Sequence, residues 1–149
     1  MTEGKRPGGL TALAVINFIF FASSLASLGT IAARNKIPIT DEMGESQRAQ
    51  IEAFRNMETS TVVLLTISTL AAGVLLLLSG IGYLKQRRFL GRILGNVYAA
   101  VAIAGTLLST VLLDAEIGGG FSLNLLISLI YPVLTLILIN TTFQDDLVN

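Results

Sequence analysis

Within the apolar stretches of this chain, few side chains could do polar chemistry. Among them are the amides Asn17, Asn96 and Asn124, the phenol Tyr131 and, near the edge of one stretch, the guanidinium Arg92. An amide carries donors and an acceptor that hydrocarbon cannot satisfy. It can bond across a seam between helices, an interaction measured at about 0.6 kcal/mol on average in one membrane protein. Alternatively, it can line a path for a polar solute. The pattern favours seams, because no ionisable residue sits in the middle of any stretch, where proton relays and coupled transporters carry one. The chain has no His and no Cys. That removes the usual general base, thiolate nucleophiles, disulfides and the common zinc and haem ligands. No nucleophile with its base and no metal-ligand set is evident, so no enzyme activity, cofactor or metal is expected. Asp145 and Asp146 read as a solvated acidic end rather than a cation site. Pro132 removes a backbone bond to the Ser128 carbonyl and marks a candidate kink.

The elements that must position these residues are four apolar runs, Leu10–Ala33, Thr61–Leu84, Phe89–Leu113 and Leu123–Thr142, with Arg92 their one charged residue. A helix rises about 1.5 Å per residue, so roughly 20 residues cross the hydrocarbon of a bilayer. Each run meets that length. Hydrophobic residues are 52% of the 149 and charged residues 13%, about half the usual charged share of a soluble domain. The expected fold is all-α: one membrane domain over residues 1–149, built as an antiparallel bundle of four transmembrane helices. A net charge of zero argues against a nucleic-acid partner. With no Trp, any interfacial aromatic belt falls to Tyr and Phe.

The first run follows Lys5 and Arg6 and contains Ala22-Ser23-Ser24 and Ser24-Leu25-Ala26, so it has features of a cleaved secretory signal. Its apolar character continues to Ala33, well past the roughly 7–15 residues of a signal core, and an uncleaved span is expected. Four spans put both termini on one side. That side holds Lys5, Arg6, Lys85, Arg87, Arg88 and Arg92, against Arg34, Lys36, Arg48 and Arg55 on the other. The bias of basic residues toward the cytoplasm places the termini there, with Lys85-Gln86-Arg87-Arg88 as a tight inner turn.

The outer loop, residues 35–60, is the one sizeable polar segment. Pro38 ends the preceding helix, and Thr40 or Asp41 is placed to cap a new one. Met43, Ile51, Phe54 and Met57 recur near helical spacing, which predicts a short amphipathic helix within Asp41–Met57. A partly helical linker is the competing reading, because Gly44 interrupts the pattern. The second outer loop carries Gly118-Gly119-Gly120, a turn rather than a phosphate cradle, since no strand or Lys-Ser/Thr accompanies it.

Small residues segregate on each run. Gly91, Gly95 and Ala99 share one face of the third, continued by Ala102, Gly105 or Thr106, and Ser109. Thr66, Thr69, Gly73 and Gly80 do so on the second, and Asn124, Ser128, Tyr131, Thr135 and Thr142 on the fourth. Asn17 and Ser24 lie seven apart on the first. Lipid supplies no hydrophobic drive for helix association, so close approach along small residues is the main device. Gly91, Gly95, Ala99, Gly73 and Gly80 are therefore the candidate packing positions, and Asn17, Asn96, Asn124 and Tyr131 the candidate polar ones.

Three short motifs also resemble a loose class of small bacterial four-span membrane proteins of unknown function. They are Arg6-Pro7-Gly8-Gly9-Leu10-Thr11-Ala12-Leu13-Ala14, Gly91-Arg92-Ile93-Leu94-Gly95, and Tyr131-Pro132 with Leu138-Ile139-Asn140. The resemblance implies a protein of the bacterial cytoplasmic membrane and transfers no activity or site residue. Two functions are then open. One is an accessory, scaffold or assembly subunit whose partners are membrane lipids and other membrane proteins or its own copies. The other is a small oligomeric channel or transporter for a small solute.

Overall fold

The computed structural model describes residues 8–117, 123–143 and 145–147. The chain is all-helical. Helix α1 spans Gly8–Ala32, α2 Glu45–Arg55, α3 Thr59–Leu84, α4 Leu94–Ile117 and α5 Leu123–Thr141. Among the described residues, three helical stretches are long and apolar enough to cross a membrane: Gly8–Ala32, Thr59–Leu84 and Arg88–Leu107. A shorter apolar helical stretch, Ser128–Thr141, lies within α5.

The helix in the first polar loop forms where its apolar spacing predicts, but its start differs from the expected cap. Neither Thr40 nor Asp41 caps α2. Its N-cap is Gly44, extended at φ −64° and ψ 155°, and a turn from Met43 N–H to the Thr40 carbonyl precedes it. Asp41 and Glu42 consequently lie outside the helix, and Glu45 alone puts a carboxylate in its first turn. Two arginines stitch α2 to the segment before it. Arg48 Nε donates to the Met43 carbonyl at 3.1 Å, and Arg55 donates to the Ile37 carbonyl. The Arg48–Asp41 ion pair, at 3.5 Å with Asp41 fully exposed, adds little.

The third apolar run also starts differently. Arg88–Ile93 is a π turn, and regular α-helix begins only at Leu94. The wider turn follows a compact ending of α3. Arg87 N–H bonds the Gly82 carbonyl at 2.9 Å and Gln86 N–H the Tyr83 carbonyl at 3.3 Å. Gln86 sits in the left-handed region at φ 51°. This is a Schellman ending without its usual glycine. It reverses the chain within three residues, so the π turn that leads into α4 crosses directly over the end of α3.

Helix α1 lies antiparallel along α3, α3 turns back into α4, and α4 lies antiparallel along α5. The core gathers at the end of the molecule where α1 begins and where α3 and α5 finish. Leu10, Leu13, Ala14, Tyr83, Ile139, Phe143 and Leu147 form it. Phe143 and Leu147 lie beyond α5, so the chain folds under that end and closes it. All buried residues of α1 fall between Leu10 and Asn17. Outward, Ile19, Leu64, Ile67 and Ile130 are each more than half exposed, an arrangement suited to an apolar solvent.

Candidate functional site: the buried polar seams

Two hydrogen-bonded clusters join the helices. In the first, Asn17 of α1 is fully buried and uses both sides of its amide. Its Nδ2 donates to Ser79 Oγ of α3 at 2.7 Å, and its Oδ1 accepts the Tyr131 hydroxyl of α5. Ser79 in turn donates to the Leu76 carbonyl at 3.2 Å. Three helices are thus tied at one level. Tyr131 is held between two rings, Phe20 at 4.7 Å and Tyr98 at 6.3 Å between centroids, both tilted. Tyr83 and Thr135 lie buried in the same region, and their hydroxyls make no hydrogen bond of good geometry.

The second cluster lies nearer the closed end, between α4 and α5. Asn96 and Asn140 bond reciprocally, Asn140 Nδ2 to Asn96 Oδ1 at 2.7 Å and Asn96 Nδ2 to Asn140 Oδ1 at 3.2 Å. Asn140 Nδ2 also donates to the Leu136 carbonyl at 2.8 Å. The Asn140 oxygen takes a further bond from Arg92 Nε at 3.3 Å.

The glycines explain how the helices come so close. Gly73 and Gly80 face α1, where an added Cβ would meet Ser24 Cβ at 3.4 Å and Phe18 Cε1 at 2.9 Å respectively. Gly91 and Gly95 are buried, as is Ala99. Side chains, not a helix backbone, fill the space left at Gly95: the end of the Tyr83 ring, and Ile139 Cδ1 at 2.8 Å from the Cβ position. Backbone meets backbone one turn earlier, where a Cβ on Gly82 would strike Leu90 and Gly91.

Of the polar residues singled out in the sequence, Asn17 and Tyr131 are brought together and Asn96 finds Asn140. Asn124 lies outside the residues whose side chains are described. Pro132 is buried inside α5, which continues through it to Thr141. Along the continuation of the third run's stripe, Ala102 and Thr106 are half-buried and Gly105 is exposed with nothing within 4 Å of a Cβ, while the Ser109 side chain lies outside those described. On the fourth run Thr135 faces inward, whereas Ser128 and Thr142 are exposed. Thr142 lies past the end of α5, where helical spacing no longer sets its direction.

Ser79, Gly82, Tyr83, Asn140, Phe143 and Leu147 were not among the expected site residues. Asn140 carried a usable signal, as an amide near the end of an apolar run. The others carried none: Ser79, Phe143 and Leu147 depend on partners far away in sequence, and Gly82 and Tyr83 on the turn that folds the chain back over them. Among the described residues no group of three or more metal-ligating side chains occurs. What the arrangement can do is clamp helices together through neutral amides and hydroxyls. Comparison with protein-family models, curated proteins and solved structures finds no match for the chain.

Proposed function

We propose that the chain is a non-catalytic integral membrane protein, an accessory or assembly subunit that packs against other membrane proteins. In this reading it belongs with the small bacterial four-span class and sits in the cytoplasmic membrane with both termini inside. One observation supports the subunit over the pore: Asn17 is fully buried, and both its donor and its acceptor are engaged by neighbouring helices. An amide lining a solute path must exchange partners with the solute. One locked into a seam does not. The reciprocal Asn96–Asn140 pair follows the same logic.

Topology is tested by reporter fusions at Gly119 and at the C terminus, which should report opposite sides of the membrane. Finding both on one side would exclude four spans with inner termini. Function is tested by purification in mild detergent, with identification of co-purifying chains, and by solute and ion flux in liposomes. The expected results are a membrane protein partner in fixed stoichiometry and no flux above protein-free vesicles. Robust flux that disappears in Asn96→Leu would replace this reading with an oligomeric pore.

A further inference from the structure

Four basic residues lie within eight positions at the α3–α4 turn: Lys85, Arg87, Arg88 and Arg92. Among the described residues the one ion pair is Arg48–Asp41, between α2 and the segment before it, so none of these four has a carboxylate of a described residue within 4 Å. Lys85, Arg87 and Arg88 are exposed, whereas Arg92 is half-buried. Arg92 is also fixed in place. Its Nε is bonded to Asn140, whose amide is held by Asn96 and by the Leu136 carbonyl. Both terminal nitrogens of that guanidinium remain without an acceptor among the described residues. A planar guanidinium held in this way is suited to two oxygens of one anion.

The adjoining surface is apolar. Phe89, Ile93, Val97 and Val101 recur every four residues from the turn along α4, exposed by 62%, 46%, 43% and 40%. The stripe begins beside the basic cluster and runs away from it along the helix. A free inorganic anion has no use for such a surface. A molecule with a negative head and a hydrocarbon tail matches both parts.

We propose that the α3–α4 turn binds an anionic phospholipid, with the phosphate on Arg92 ringed by Lys85, Arg87 and Arg88, and an acyl chain along Phe89, Ile93, Val97 and Val101. The site rests on the membrane-spanning reading and is independent of any protein partner. It also gives a half-buried cation at the edge of a span the counter-charge that the described residues do not supply. Basic side chains facing an anionic surface each strengthen attachment several-fold, an effect confined to about a Debye length.

The test is native mass spectrometry of the detergent-purified full chain with phosphatidylglycerol or phosphatidylcholine added. Phosphatidylglycerol should be retained at least tenfold better. Arg92→Gln should lose most of that preference, while Arg34→Gln, from the opposite end of α1, should keep it. Because Arg92→Gln also removes a bond to Asn140, the double variant Arg87→Gln/Arg88→Gln serves as a second probe. Its side chains are exposed, so the fold should be retained and the preference reduced several-fold. Equal retention of the two lipids, or full preference in both sets of variants, overturns the proposal. Inorganic phosphate raising thermal stability as much as phosphatidylglycerol also overturns it, in favour of a free-anion site. Failure of the chain to require detergent for extraction would instead overturn the membrane reading beneath it.

Discussion

Replacing Gly82 with alanine should open the closed end of the molecule. The new Cβ would strike the Gly91 backbone nitrogen and the Leu90 carbonyl carbon, and would lie 2.7 Å from Gly91 Cα. These are backbone atoms, so no rotamer change relieves the overlap. Inserting atoms into a well-packed site costs about 1–3 kcal/mol when side chains can yield. Here the whole π turn must move, which puts the cost at the top of that range or above it. Alanine ordinarily gains about 1 kcal/mol over glycine inside a helix. Gly105→Ala measures that gain directly, because nothing lies within 4 Å of its Cβ position. Thermal unfolding followed by circular dichroism in mild detergent should therefore place Gly82→Ala well below wild type and Gly105→Ala at or above it. A melting temperature for Gly82→Ala equal to that of Gly105→Ala would show that the crossing is not tight.

The second large effect is at Gly95, where the obstruction is a side chain and can therefore be removed. A Cβ there would meet the Tyr83 hydroxyl oxygen, Ile139 Cδ1 at 2.8 Å and Tyr83 Cζ at 3.3 Å. Tyr83 and Ile139 are both fully buried, so neither ring nor methyl can swing into solvent. Gly95→Ala should cost about 1–3 kcal/mol, and Gly95→Leu more, by wedging α4 from its neighbours. Tyr83→Phe deletes the nearest obstructing atom. The hydroxyl it removes makes no hydrogen bond of good geometry, so this change alone should be close to neutral. Combined with Gly95→Ala, it should recover at least half of the lost stability. A double-mutant cycle on melting temperatures reads that coupling, expected at about 1 kcal/mol or more. Additive single effects would mean that Tyr83 does not occupy the space at Gly95.

Much of the frame follows from local features of the chain. Long apolar runs form helices because every backbone polar group in an apolar solvent must find its partner within the segment. The runs thus locate α1, α3, α4 and α5 to within a few residues, apart from the π turn that opens the third. The amphipathic spacing of Ile51, Phe54 and Met57 locates α2, although the extended backbone at Gly44 delays its start. Small residues at three- and four-residue intervals mark which face of a helix can approach another. Accordingly Gly73, Gly80, Gly91, Gly95 and Ala99 are buried. A buried amide is likewise legible as one in need of a partner, as Asn17 is.

Which partner it takes is decided only in three dimensions. Asn17 meets Ser79 and Tyr131 across 62 and 114 residues of chain, and those pairings depend on the relative height of three helices. Periodicity fixes the angle of a residue around its own axis and says nothing of whether a neighbour reaches that level. For that reason the stripe on α4 is buried through Ala99 yet open at Gly105, and Tyr131 faces inward while Ser128 does not. The same physics hid Gly82, whose lack of a side chain matters only because the Schellman ending swings Gly91 directly over it. It also hid Phe143 and Leu147, which are buried because the chain beyond α5 finds the start of α1 and the π turn, surfaces assembled from opposite ends of the sequence.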